Sequence, residues 1–188
     1  MPGNTRARML DGTIVLLAKR GLQDTSFSTV LEYTGTPRGS IYFHFPGGKD
    51  QLVTEAVQLA GERSLALITS FRGKSARGVT SAYLGVWREV LTRSDLSAGC
   101  AALAVTVATD SPELLEKTSA VFRAWRTELA AVLKQGGLKR TDAAGFAAVL
   151  VAAAEGAVAL SRAERSLEPF DTVRRQLLAQ ATALARTT

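Results

Sequence analysis

Proline placement is the feature that most constrains what this chain can fold into. The five prolines are Pro2, Pro37, Pro46, Pro112 and Pro169. Because the interior of an α-helix rejects proline, the long stretches between these positions are open to helices. No run of alternating β-branched residues with hairpin turns is visible. The sequence therefore predicts an all-α fold.

Composition excludes several classes of protein. The chain has 188 residues, of which 46% are hydrophobic, and this is enough apolar material for a packed core. A single cysteine, Cys100, rules out an intramolecular disulfide and a cysteine-based zinc site, and a single histidine, His44, rules out a histidine-rich metal cluster. No apolar run follows a basic start, so no secretory signal is visible. We expect a cytoplasmic protein with no metal and no cofactor.

One stretch tests whether the chain enters a membrane. Residues 143–160 are almost uninterrupted apolar residues, close to the length of a membrane-spanning helix. They are dominated by alanine, include Gly145 and Gly156, and place Glu155 near the middle, where a carboxylate is costly in lipid. A helix of small residues packed within the protein explains this stretch better, so we expect no membrane partner.

Apolar spacing and capping residues predict about nine helices. Gly21 and Gly35 supply breaks after the first two, and Pro37 and Pro112 suit the first turns of the third and seventh. The predicted ranges are 4–20, 28–34, 37–43, 49–71, 75–92, 100–108, 112–135, 142–165 and 169–186.

The first three helices, with a glycine turn between the second and third, form a helix-turn-helix arrangement. Residues 1–49 hold six basic and three acidic side chains, a positive balance that suits phosphate contact. On the third helix, Arg38 can reach a base edge or a phosphate, while Ile41 and Phe45 are expected to face the core. On this spacing alone, an equally good interpretation is that Tyr42, Phe43 and Phe45 are simply core aromatics.

Residues 35–45 (GTPRGSIYFHF), followed by 46–52 (PGGKDQL), resemble the signature of the TetR family of bacterial transcriptional regulators. The Pro-Gly-Gly-Lys insertion, together with residues 98–100 and 110–114, is similar to the LmrA/YxaF branch in particular. This resemblance implies an all-α homodimer with a DNA-binding head, residues 1–48, and a ligand-binding and dimerisation body, residues 49–188. It also implies a repressor of exporter or oxidoreductase genes that is released by planar aromatic compounds.

Carried over residue by residue, the resemblance implies contacts with double-stranded DNA. Thr36 departs from many relatives, which have an apolar residue after the turn glycine, and is either a groove contact or a tolerated small polar residue. The implied DNA-binding residues are Ser28, Thr29, Thr36, Arg38, Gly39, Ser40, Tyr42, His44 and Lys49.

The body offers candidates for an effector pocket and a dimer interface. Pocket aromatics and core aromatics look alike in sequence, and Glu155 has three possible surroundings: a ligand, a dimer interface or solvent. Both interface and core also require the same apolar stripe. The pocket candidates are Tyr83, Trp87, Cys100, Phe122, Trp125, Phe146 and Glu155, and the interface candidates are Ala147, Val151, Ala154, Val158, Leu177, Leu178, Ala181 and Leu184.

Three other functions compete with that of a repressor. Ser40 and His44 stand four residues apart, but no orienting acid or oxyanion site lies near them in the sequence, so we do not expect an enzyme. A helical adaptor that binds protein through its basic head is the main alternative, and an activator of the same fold is another. The sequence does not fix the operator, the regulated gene or the effector.

Overall fold

The computed structural model describes residues 2–186, and the side chains of residues 5–186. Every regular element in this part of the chain is an α-helix, so the predicted all-α fold is confirmed. The helices are α1 (Pro2–Arg20), α2 (Phe27–Thr34), α3 (Arg38–His44), α4 (Gly48–Thr69), α5 (Ala76–Arg93), α6 (Ala101–Thr106), α7 (Pro112–Gln135), α8 (Arg140–Glu164) and α9 (Glu168–Arg186).

The predicted helix ranges differ from the observed ones by a few residues at their ends. Pro37 is the residue that caps α3 rather than its first helical residue, and its extended backbone keeps it outside the helix. The α6 helix is shorter than predicted because Val107 ends it. Gly35, which follows α2, has φ +61°, a left-handed conformation that glycine adopts without steric cost.

The chain divides into two compact units. Unit 1 comprises Met1–Glu62 and Cys100–Val121, and unit 2 comprises Arg63–Gly99 and Phe122–Thr188. The α4 and α7 helices each contribute to both units. The predicted division of function between residues 1–48 and 49–188 stays a prediction.

Unit 1 is organised around α1, which packs against α2, α3 and α6. Its core contains Met9, Leu17, Val30, Ile41 and Phe45, none of which exposes any surface. Burying five large side chains of this kind against one another favours the folded unit by removing apolar surface from water. The short helices α2 and α3 are therefore held by packing rather than by their own helix propensity.

Unit 2 is built on mutual packing of α5, α8 and α9. Arg88 of α5 donates to both carboxylate oxygens of Asp171 in α9, at 2.9 and 3.1 Å. The hydrogen bonds from Arg88, strengthened by its charge, hold the pKa of Asp171 below its usual value, and the same bonds raise the pKa of Arg88. This forked ion pair joins the two helices at the edge of the core.

The stripe predicted as a dimer interface is buried inside the single chain. Its residues on α8 and α9 expose at most 8% of their surface, except Leu184, which is half-buried. Side chains already covered by their own protomer have no surface to offer a partner, so the prediction of an interface is corrected to an intramolecular core. The residues so corrected are Ala147, Val151, Ala154, Val158, Leu177, Leu178 and Ala181.

Among the described residues, α8 is the helix long and apolar enough to cross a membrane, judged by length and composition. Half of its most apolar window is buried inside the chain. The core helix of a soluble protein passes the same test, so this helix gives only weak support for a membrane span.

Candidate nucleic-acid interface

The start of α2 is fixed by a capping box. The Ser26 hydroxyl accepts from the Thr29 N–H at 3.2 Å, and the Thr29 hydroxyl accepts from the Ser26 N–H at 2.8 Å. This reciprocal arrangement satisfies N–H groups that the first turn of a helix leaves without helical partners. The hydroxyl of Thr29 is therefore used by the cap, and Ser28, which is exposed, has its hydroxyl 2.8 Å from that of Ser26.

The turn between α2 and α3 is held by backbone and side-chain bonds. The Thr36 N–H donates to the Leu31 carbonyl at 3.2 Å, and the Arg8 guanidinium donates to the Thr34 carbonyl. Thr36 itself is 7% exposed, with its hydroxyl 2.7 Å from that of Thr34. Thr36 therefore has little exposed surface for contact with a base or a phosphate, and the proposed interface does not include it.

The α3 helix has one buried face and one exposed face. Ile41 and Phe45 are completely buried, which confirms the prediction that they pin the helix to the core. Arg38 and Gly39 are exposed at the start of the helix, and the space around Gly39 is open. Ser40 is half-buried, and its hydroxyl donates to the Pro37 carbonyl at 2.6 Å. The exposed side thus presents the cation of Arg38 beside open access to the backbone at Gly39.

Two aromatic side chains extend this exposed face. Tyr42 is 67% exposed and its ring meets the edge of Phe27 at a centroid distance of 5.5 Å. Phe43 is 81% exposed, so the interpretation of these two residues as core aromatics is wrong, although it is right for Phe45. The half-buried His44 ring lies 5.2 Å from that of Phe43.

Sequence reasoning missed Phe43 as a candidate for the interface. The signal was present in the spacing, because a helix that buries positions 41 and 45 turns position 43 to the opposite side. Phe43 stands next to the exposed Tyr42, and a major groove offers such an apolar ring contact with a thymine methyl group.

Lys49 joins the first turn of α4 to the loop after α1. Its ammonium group donates to the Leu22 carbonyl at 2.8 Å. An ammonium group has three N–H donors, so this bond positions Lys49 and leaves others for a phosphate. The preceding Gly48 has φ +79°, which lets the chain turn sharply from α3 into α4.

A polar network ties the end of α3 to α4 and α1. The Gly47 N–H donates to the Gln51 side chain at 2.8 Å, and the Gln51 amide donates to Glu55 at 3.0 Å. Glu55 also pairs with Arg6, whose guanidinium lies 5.2 Å above the Phe45 ring. The exposed face of α3 is therefore held in a defined orientation by α1 and α4.

This geometry suits the major groove of DNA. A groove about 12 Å wide admits one α-helix, whose exposed side chains then reach base edges and phosphates. No group of three or more His, Cys, Asp and Glu side chains that could hold a metal ion is found within the described part of the chain.

Comparison with known families agrees with this geometry. Residues 9–56 match the family described as bacterial regulatory proteins, tetR family, and residues 78–176 match the C-terminal domain of LmrA/YxaF-like transcriptional regulators. The chain belongs to the TetR family. The LmrA/YxaF-like branch noted in the sequence is confirmed, and TetR-family membership makes this a DNA-binding transcriptional regulator rather than an enzyme.

Relatives of this TetR-family chain match it over nearly its whole length. An uncharacterized HTH-type transcriptional regulator of Mycobacterium tuberculosis is 35% identical over 92% of this chain and 91% of its own length. The HTH-type transcriptional regulator LmrA of Bacillus subtilis is 26% identical over 89% and 92%. The crystal structure of a TetR transcriptional regulator from Chloroflexus aurantiacus is 28% identical, with a TM-score of 0.80 over 96% of both chains.

The predicted effector residues fall mainly in unit 2. Tyr83, Trp125 and Phe146 are buried there, and Glu155 is 6% exposed, so the solvent position left open for this carboxylate is wrong. Trp87 and Phe122 are half-buried. Whether these side chains line one cavity stays a prediction.

Cys100 differs from the other pocket candidates because it lies in unit 1. It is buried and caps the start of α6, where its sulfur accepts from the Leu103 N–H at 3.4 Å. This structural place is the one expected of a small buried hydrophobic residue, so we leave Cys100 out of the proposed effector region.

Proposed function

We propose that this protein is a cytoplasmic, ligand-responsive repressor that binds a pseudo-palindromic operator as a homodimer. The exposed face of α3 carries this proposal. It presents Arg38, Gly39, Tyr42 and Phe43 to solvent while the opposite face is completely buried. Arginine pairs well with guanine edges, and the aromatic rings suit thymine methyl groups and groove walls.

The proposed dimer follows from the size of α3. A helix of seven residues reads few base pairs, and two such helices on a two-fold axis read half-sites about one helical turn apart. The outer face of α8 is a suitable surface for the second copy. Five exposed, mostly small residues lie on this face at helical spacing: Gly145, Val149, Ala152, Gly156 and Leu160. The space around both glycines is open.

The proposed effector is a small aromatic, hydrophobic molecule bound within unit 2. Support comes from the LmrA/YxaF-like match over residues 78–176 and from the buried aromatic residues Tyr83, Trp125 and Phe146. The effector must bind the DNA-free state more tightly than the operator-bound state, and couplings of about 1–3 kcal/mol are typical. A shift of α4, which contributes to both units, is the proposed route.

Selection of genomic DNA tests this function. The purified protein is incubated with sheared DNA from its own source, and the retained fragments are sequenced. We expect a few sites that share an inverted repeat. No enrichment at low salt, both before and after the protein is unfolded, stripped of bound molecules and refolded, would refute operator binding.

Two variants then separate base reading from phosphate contact. Arg38→Ala should reduce the preference for the recovered site over random DNA, whereas Lys49→Ala should weaken binding to all DNA alike. A reporter driven by the recovered promoter distinguishes the proposed repressor from an activator of the same fold. Expression that falls on deletion of the gene would show activation.

A further inference from the structure

Two loops meet at one end of unit 2. The loop after α4 approaches the loop after α7 so closely that the Ala76 N–H donates to the Gly136 carbonyl at 2.8 Å. A Cβ at Gly136 would lie 2.6 Å from the Ala76 nitrogen and 2.8 Å from the Lys74 carbonyl oxygen. Only glycine permits this backbone contact, so the residues flanking both loops share one local surface.

Positive charge is concentrated on this surface. Residues 70–77 and 128–142 contain six basic side chains, all exposed, against two acidic ones, Glu128 and Asp142. Glu128 is already bonded to Arg72 at 2.8 Å and to Thr69 at 3.1 Å. The basic end of unit 2, as we call this surface, consists of Arg72, Lys74, Arg77, Lys134, Lys139 and Arg140.

The surroundings of these cations favour a polyanion over other partners. None of the large hydrophobic side chains that the structure exposes lies in residues 70–77 or 128–142. Protein interfaces have an apolar centre depleted in lysine, and membrane-binding surfaces insert apolar side chains, so neither partner fits well. The α5 and α8 helices also begin here, and their positive ends add to the field.

We propose that the basic end of unit 2 binds the phosphate backbone of double-stranded DNA without sequence preference. Closely spaced cations on exposed, flexible side chains displace counterions from DNA, which supplies affinity without reading bases. This contact is separate from the α3 surface and does not depend on the proposed operator or effector.

The test uses a full-length protein in which Arg38→Ala weakens base reading and Lys49→Ala removes a phosphate contact of unit 1. Binding to a fluorescent duplex of random sequence is followed by anisotropy between 50 and 200 mM salt. We expect residual, salt-sensitive binding. Adding Lys74→Gln, Lys134→Gln and Arg140→Gln should reduce the log–log salt slope by about two to three and weaken binding at least about tenfold at 50 mM salt.

A charge-matched control adds Arg93→Gln, Arg126→Gln and Arg165→Gln instead, which are exposed positions elsewhere in unit 2. Circular dichroism confirms that each protein is folded. An equal loss in the control would show that net charge alone matters and would overturn the proposal. The proposal would also be overturned if the starting variant showed no residual DNA binding, or if it bound vesicles containing phosphatidylserine in place of DNA.

Discussion

Gly61 of α4 makes a close contact that tests the packing of unit 1. A Cβ at this position would lie 2.6 Å from Cγ2 and 3.1 Å from Cγ1 of Val121 in α7. Real Cβ atoms essentially never approach another heavy atom to 2.6 Å, so Gly61→Ala forces one of the two helices to move. Valine cannot relieve the clash easily, because one χ1 rotamer dominates in a helix.

Two opposing effects decide the outcome of Gly61→Ala. Replacing glycine by alanine inside a helix stabilises it by about 1 kcal/mol. Overpacking a close contact costs about 1–3 kcal/mol, and a valine clash at 2.6 Å belongs in the upper part of that range. We therefore expect a net loss of about 1–2 kcal/mol. For a chain of this size, the midpoint of thermal unfolding, Tm, should fall by roughly 2–8 °C.

Gly85 of α5 provides a matched control. It lies inside a helix, and nothing lies within 4 Å of an added Cβ. Gly85→Ala should therefore show the propensity gain alone and raise Tm by about 2–4 °C. Adding Val121→Ala to Gly61→Ala should recover most of the loss, which a double-mutant cycle measures.

Calorimetric unfolding of the parent chain and of four variants, Gly61→Ala, Val121→Ala, their double variant and Gly85→Ala, checks this reasoning. A Tm for Gly61→Ala that rises as much as that for Gly85→Ala would refute the close contact. The close contact would also be refuted if the double variant lost as much stability as the two single variants lose together. Either result would mean that α4 and α7 are farther apart at this point than the structure shows.

Three further predictions concern single side chains. Asp171→Asn should lower the free energy of unfolding by about 1 kcal/mol at pH 7, as measured in urea. The pKa of Asp171 is lower in the folded chain than in the unfolded chain. The Arg88 pair therefore contributes stability above about pH 4, and this contribution is lost as the pH falls through the pKa of the folded chain. Phe43→Ala should leave Tm nearly unchanged and weaken operator binding about tenfold in an anisotropy titration, and equal binding would exclude a thymine contact. Ser26→Ala should cost about 1 kcal/mol by removing the cap that Thr29 completes, while Ser26→Asp should retain stability in the same assay.

The fold was largely predictable because it depends on local rules. Proline and glycine mark helix ends through backbone sterics, which operate within a few residues of the chain. Gly35 and Pro37 therefore gave the boundaries of the helix-turn-helix correctly to within a residue or two. The buried face of α3 was predictable for the same reason, since Ile41 and Phe45 stand one helical turn apart.

The rest of the candidate interface depends on contacts between distant segments. The turn before α3 is held by Arg8, whose guanidinium donates to the Thr34 carbonyl from 26 residues earlier in the chain. Lys49 is positioned by the Leu22 carbonyl, which is distant along the chain. No local sequence pattern predicts such tertiary contacts. The functional groups of these residues were therefore predictable from the sequence, but their hydrogen-bond partners were not.

The surroundings of the α8 residues were likewise not predictable from the sequence, and a pair of variants on this helix tests them. Sequence alone did not separate core from interface, whereas the structure places Ala154 inside and Ala152 outside. Ala154→Glu buries an unpaired carboxylate, which costs several kcal/mol, so unit 2 should unfold. Ala152→Glu should leave each protomer folded and separate the dimer, because two-fold symmetry brings two carboxylates onto one apolar surface.

Light scattering after size exclusion and circular dichroism measure the two effects independently. Gln135→Glu, at the exposed end of α7, adds the same charge outside α8 and should change neither mass nor helicity. A folded dimer that persists in Ala152→Glu would reject the outer face of α8 as the interface. If the Ala154→Glu variant folds, its new carboxylate faces water. That result would contradict the burial of this side of α8.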